Sequence, residues 1–250
     1  MLLFRSLLLM LLCSSAQAGE LMVSAAASLN QAFSEIASAY QQTHPHTQVL
    51  LNFAASGVLL QQVAKGAPVD VLAVADQQTM DSAEQQGLIS PGSRVDFAGN
   101  ALVLIVPQGV TDNPSTLKDL LAGGVKRIAI GNPDAVPAGR YAQTALESAG
   151  LWQGIQPLLI NTQNVRQALA YAAQGEVDAA FVYSSDVKEA AGKVSVAFAV
   201  PLAAPPLYPM ATVRSSQQQD EAARFQAFVG SEQGQAILQK HGFIRMAEVR

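Results

Sequence analysis

Residues 19–42 read GELMVSAAASLNQAFSEIASAYQQ, and two different periodicities meet inside them. Leu21–Ala25 is a short apolar run without alternation, the pattern of a strand covered on both faces. From there the apolar positions fall at Leu29, Ala32, Phe33, Ile36 and Tyr40, one continuous stripe along a helix. Ser28 stands at the junction with Gln31 three residues on, the layout of a capping box. The stretch therefore predicts a strand, a tight turn and a helix over Leu29–Gln42.

The same unit recurs along the chain. Strands are expected at Leu21–Ala25, Gln48–Phe53, Val71–Ala75, Ala101–Val106, Arg127–Ile130, Leu158–Ile160, Ala179–Val182, Val194–Val200 and Met210–Val213. Helices are expected between them at Gly57–Lys65, Thr79–Gln86, Ala138–Ser148, Val165–Ala173, Gln217–Val229 and Glu232–Lys240. Such alternation predicts an α/β fold of mostly parallel sheets flanked by helices. There is no repeat and no low-complexity linker, so a two-lobed chain has to be joined by strands that cross between lobes. The expected crossings lie near Gly99-Asn100 and in the proline-rich stretch Pro201–Pro209. The resulting division is residues 19–98 with 206–250 as lobe 1, and 99–205 as lobe 2.

Residues 1–18 read MLLFRSLLLMLLCSSAQA: one early positive charge, a short apolar run and a small-x-small ending. That is the layout of a secretory signal peptide cleaved after Ala18, and the apolar run is too short to span a bilayer. Cleavage would remove Arg5 and Cys13, the only cysteine, so no disulfide or thiolate metal cluster is expected. A chain 50% hydrophobic and 14% charged is too apolar for disorder. Its net charge of −4, spread without a basic run, argues against nucleic acid or an anionic membrane as partner.

The chemistry is expected at the helix starts. Ser28, Ser56 and Asn164 each open a helix after a strand, and Gly131-Asn132-Pro133-Asp134-Ala135-Val136-Pro137-Ala138-Gly139 leads into a fourth. In an open α/β sheet these turns gather outside the carboxyl ends of the strands, where ligands bind. A helix start offers free N–H groups and about half a positive charge, so it attracts anions without Lys or Arg. For any single Ser or Asn, ordinary capping is the better reading; only the recurrence on one side of the sheet favours a site. Asp76 reads as a further cap, and Tyr183 closes the strand Ala179–Val182 with its hydroxyl toward either core or cleft. No nucleophile elbow, dinucleotide fingerprint or phosphate loop is present. His44 and His46 lie in a polar turn and His241 at a helix end, without the three or four ligands that zinc needs.

Ala25-Ala26-Ala27-Ser28-Leu29, Phe53-Ala54-Ala55-Ser56-Gly57, Gly66-Ala67-Pro68-Val69-Asp70-Val71 and Ala75-Asp76-Gln77 resemble the first lobe of the periplasmic molybdate-binding proteins. Gly131-Asn132-Pro133 with Val136–Ala142, Asn164–Leu169, Phe181–Asp186 and Gln239–Phe243 are similar to further segments of that family, in the same order. The resemblance implies a type II periplasmic binding protein, two α/β lobes closing over one tetrahedral oxyanion. It also implies delivery of molybdate, and tungstate with it, to the permease of an ABC importer, by a monomer without catalytic activity or cofactor. Carried over by position, the ligand contacts fall on Ser28 and Ser56 (hydroxyl and N–H), the N–H groups of Ala138 and Val165, and the Tyr183 hydroxyl. Two positions depart from the family pattern: Gly57, often Ser there, and Ser24, commonly larger. A donor-only site of this kind suits an unprotonated dianion and disfavours phosphate, which keeps a proton. A receptor for sulfate or another anion on the same fold, a ferric-ion receptor, a sensory domain and an exported hydrolase using Ser28 or Ser56 are the competing readings.

Overall fold

The structure is a computed structural model that describes residues 19–190 and 192–249. The expected signal peptide, with Cys13, lies outside the described residues. No helix among those described is long and apolar enough to cross a membrane.

The chain builds ten strands and nine α-helices over the described residues. In order these are β1 Gly19–Ala26, α1 Asn30–Thr43, β2 Thr47–Ala54, α2 Ser56–Ala64, β3 Val71–Ala73, α3 Gln77–Gln85, β4 Val95–Gly99 and β5 Leu102–Pro107. Then come β6 Ile128–Gly131, α4 Pro137–Ser148, α5 Trp152–Ile155, β7 Leu159–Thr162, α6 Val165–Ala173, β8 Ala179–Tyr183 and α7 Ser184–Glu189. The chain closes with β9 Val194–Ala199, β10 Leu207–Thr212, α8 Gln219–Gly230 and α9 Glu232–Lys240.

Two five-stranded sheets result, ordered β2-β1-β3-β10-β4 and β7-β6-β8-β5-β9. The two-lobed α/β architecture expected from the alternation is present. Each sheet is mixed through one reversed strand, the other four running the same way: β1 pairs in parallel with β2 and β3, and β6 with β7 and β8, but β10 and β5 each make two antiparallel ladders. The physical reason is the crossing. The chain leaves the first sheet by β4 and enters the second by β5, then leaves by β9 and returns by β10. The two entering strands, β5 and β10, therefore run against their neighbours, while β4 and β9 run with the strands that carry β-α-β connections. β4 has no strand signal in the sequence because it is a sheet edge carrying Asp96, and α7 has none because its residues, Ser-Ser-Asp-Val-Lys-Glu, are mostly polar.

The stripe on α1 is buried as its spacing requires, with Phe33, Ile36 and Tyr40 fully covered. Phe33 packs against Phe97 and Phe225, and Tyr40 against Phe225 and Phe228, mostly edge-on as aromatic quadrupoles prefer. Both sheets thus keep helices on their faces and leave the carboxyl ends of β1, β2, β3, β6, β7 and β8 pointing into the region between the lobes.

Candidate functional site

A residue of interest stands at, or in the turn and first helical residues after, each of those six strand ends. Ser28 sits in a 3-10 turn, Ala27–Leu29, between β1 and α1. The turn moves the helix start to Asn30, so Ser28 is not the N-cap and the expected capping box with Gln31 does not form. Its Oγ lies 3.0 Å from the Tyr208 hydroxyl instead. Ser56 is the first residue of α2, capped by Ala55, and its Oγ accepts from Ala75 N–H at 3.1 Å. Asn164 does cap α6: Oδ1 accepts from Gln167 N–H at 3.1 Å, while Gln167 Oε1 accepts from Gln163 N–H, one residue ahead of the cap. Asp76 caps α3 through Thr79 N–H at 3.2 Å. In α4 the first residue is Pro137, which has no N–H, so the first backbone donor of that helix is Ala138.

Ser28, Ser56, Ala138, Val165 and Tyr183 all line one cavity, together with Ala26, Ala27, Ala55, Ala75, Val136, Pro137 and Asn164. The five come from both lobes and are almost completely buried. The cavity has a free volume of only about 10 Å³, far below the roughly 300–1,000 Å³ of pockets for organic ligands, so in this closed form it leaves room only for a compact species. A larger open groove of about 630 Å³, edged by Val95, Phe97 and Arg245, lies away from the strand ends.

No Asp, Glu, Lys, Arg or His lines the cavity. The polar character of its wall comes from first-turn amides of α2, α4 and α6, whose dipoles add partial positive charge, and from three hydroxyls. Burial holds the phenols of Tyr183 and Tyr208 well above the usual tyrosine range, so both remain protonated. The Tyr183 hydroxyl donates to Ala75 O at 3.3 Å, a long bond that a better acceptor in the cavity would replace.

Contacts across the gap hold the lobes together. Gly57 N–H donates to Ala135 O at 2.9 Å. A Cβ on Gly57 would lie 2.9 Å from both Cα and O of Ala135, so glycine at this departure from the family pattern allows the close approach. Within the second lobe, Gly139 packs on Gly131 O, where a Cβ would meet the oxygen at 1.8 Å. Arg140 Nη2 reaches Asp76 Oδ2 at 2.6 Å and Thr79 Oγ1 at 2.8 Å. Arg166 donates from Nε to Ala27 O at 3.2 Å and from Nη2 to Ser28 O at 3.1 Å, and its other nitrogen pairs with Glu189. Arg166 Nε also lies 3.1 Å from Asp186 Oδ1, but its hydrogen points at Ala27 O, so that contact is Coulombic. Each arginine beside the cavity is thus committed to a carboxylate.

Sequence reasoning missed Arg140, Arg166, Asn100 and Tyr208 as parts of this region. Their long-range partners lie 61 to 180 positions away, so no local spacing marks them. The histidines stay outside it: His44 stacks on Tyr40 and His241 pairs with Glu35 at 2.8 Å. Among the described residues no group of three His, Cys, Asp or Glu side chains could hold a metal ion.

Comparison with known proteins agrees with this architecture. Residues 21–244 match the family model described as bacterial extracellular solute-binding protein. The chain is 34% identical to the molybdate-binding protein ModA of Escherichia coli, over 91% of this chain and 90% of that one. It is 30% identical to ModA of Haemophilus influenzae, with 92% of each covered. Among solved structures it is similar to the periplasmic molybdate-binding protein of Azotobacter vinelandii, with a TM-score of 0.80, 27% identity, and 90% and 98% of the two chains covered. The sulfate-binding protein SubI of Mycobacterium tuberculosis shares the fold at a TM-score of 0.80 but only 17% identity. On its sequence and its fold alike, this chain belongs to the family of bacterial extracellular solute-binding proteins.

Proposed function

We propose that this protein captures molybdate, and tungstate with it, in the periplasm and delivers it to the permease of an ABC importer. One observation carries the reading: a small buried cavity between two lobes is walled by donors, namely the hydroxyls of Ser28, Ser56 and Tyr183 and the amides of Ala138 and Val165, with no carboxylate. An unprotonated dianion can accept from every one of these groups. Hydrogenphosphate brings a proton and would set a donor against donors, a mismatch costing about 1–3 kcal/mol. The relatives named for molybdate at 30% identity or more support the same ligand.

Export by a signal peptide cleaved after Ala18, the lobe limits 19–98 with 206–250 and 99–205, and a monomeric state belong to this reading. Binding rather than hydrolysis is favoured by the serines' neighbours. Ser28 Oγ faces a protonated phenol and Ser56 Oγ a backbone N–H, and neither is a general base.

Calorimetric titration of the protein with molybdate, tungstate, sulfate and hydrogenphosphate tests the proposal. Tight binding of molybdate and tungstate, with hydrogenphosphate weaker by about tenfold or more, is the expected result. Preference for sulfate would select the alternative ligand on the same fold, and preference for hydrogenphosphate or no binding at all would overturn the donor-only reading.

A further inference from the structure

We infer that Asn100 and Tyr208, which do not line the cavity, fix the direction of the Ser28 hydroxyl so that it donates into the cavity, and thereby make the site discriminate against protonated anions. The inference rests on the oxyanion reading and adds two positioning residues that set its specificity.

The argument is one of hydrogen-bond polarity. Asn100 is fully buried at the crossing from β4 to β5. Its Oδ1 accepts from Ala101 N–H at 2.9 Å and from the Ser184 hydroxyl at 2.9 Å. A backbone N–H can only donate, so this end of the amide is the oxygen and the other is the NH₂. The two amide hydrogens go to Ser185 Oγ at 2.9 Å and to the Tyr208 hydroxyl oxygen at 3.3 Å. Tyr208, also fully buried, therefore accepts from Asn100 and has one hydrogen to place. Ser28 Oγ at 3.0 Å is its remaining partner. In the reverse arrangement Ser28 would donate to Tyr208 and the phenolic hydrogen would be buried without an acceptor, which is disfavoured.

Ser28 consequently accepts from Tyr208 and turns its own hydrogen toward the cavity. A free hydroxyl can donate or accept at will; this one can accept from a ligand only by stranding its hydrogen. Ser56 reaches the same state by a shorter route, because Ala75 N–H already donates to its Oγ. The chain Asn100 to Tyr208 to Ser28 is thus a one-way relay that starts at a strand crossing between lobes and ends at the ligand.

Asn100→Asp tests the relay with little change of shape. The new carboxylate accepts on both oxygens, so it draws the phenolic hydrogen of Tyr208 away from Ser28. Ser28 then donates to Tyr208 and shows a lone pair to the cavity. Calorimetry with molybdate, and competition of hydrogenphosphate against bound molybdate, should give a molybdate affinity lowered about tenfold or more and a molybdate-to-hydrogenphosphate preference smaller by about tenfold. The added charge weakens both dianions, so the ratio is the deciding readout. Tyr208→Phe breaks the relay without a charge and should shrink the ratio by about threefold; it carries the test alone if Asn100→Asp fails to fold by circular dichroism. An unchanged ratio in folded variants overturns the relay while the oxyanion reading stands. A wild-type protein that binds none of these anions overturns both.

Discussion

Arg140 of α4 and Asp76, the cap of α3, join the two lobes through a single carboxylate oxygen, with Nη2 at 2.6 Å and Nε at 2.9 Å from Asp76 Oδ2. The side chains are 17% and 5% exposed, so the pair is largely shielded from solvent. It exists only while the lobes are closed, because α3 and α4 belong to different sheets. Arg140→Met should therefore destabilise the closed form and, through it, lower ligand affinity by about 1–3 kcal/mol. Small-angle scattering of the unliganded protein should show a larger radius of gyration. Equal affinity and equal radius in variant and parent would mean that the pair does not hold the lobes.

Gly57→Ala separates stability from binding. Alanine is the better helix former by up to about 1 kcal/mol, and Gly57 lies in the first turn of α2, so thermal stability should not fall. The added Cβ would sit 2.9 Å from Ala135 of the opposite lobe and should obstruct closure. Affinity is expected to drop by about tenfold or more. A melting temperature lowered in step with affinity would point to simple misfolding of the helix start instead.

Ser28→Ala and Ser56→Ala should each weaken anion binding by about 1–3 kcal/mol through loss of a charge-assisted hydrogen bond. Neither serine is a side-chain cap, so the stability cost arises elsewhere. Ser28→Ala leaves the buried Tyr208 hydroxyl without an acceptor, and Ser56→Ala leaves Ala75 N–H without one. Titration and thermal unfolding measure both effects. Unchanged affinity in both variants would remove these residues from the site.

Asp186 gives a pH dependence of definite sign. Burial pushes its carboxyl up to about 6, against opposing pulls from Arg166 and from Tyr183 N–H. A folded value raised above the unfolded one means that the native state binds the extra proton between pH ~4 and ~6. The contribution of Asp186 is then most favourable below pH ~4 and is lost as pH rises through about 6, by about 1–3 kcal/mol. Measured as a difference in denaturant unfolding, Asp186→Asn should gain on the parent across that window. A constant difference from pH 4 to 7 would place the titration elsewhere. Carboxylates held low, such as Glu35 beside Lys240 and His241, slope the other way in both proteins and cancel in the comparison.

Much of the fold was legible because its signals are local. The stripe Leu29, Ala32, Phe33, Ile36, Tyr40 is a period, and the apolar runs that became β1, β5, β6 and β8 are lengths. The region of the five candidate residues was legible for a related reason, since helix starts and strand ends are written along the chain, while the choice of Ala138 and Val165 themselves came from the family resemblance. What those residues do there was less legible. Ser28 and Asn164 look alike in sequence, yet only Asn164 caps a helix, because a 3-10 turn shifts the start of α1 by one residue, to Asn30. The sheets' mixed sense was hidden as well, since strand direction follows from where the chain crosses between lobes.

Periodicity and helix-start chemistry along the chain sufficed to settle an α/β architecture with backbone amides gathered at strand ends, because both depend on neighbours within a few residues. Only tertiary structure decided that Gly57 meets Ala135, that Arg140 finds Asp76, and that Asn100 and Tyr208 orient Ser28. Those are contacts between positions far apart in the chain, and they form only when two sheets close on one small buried cavity.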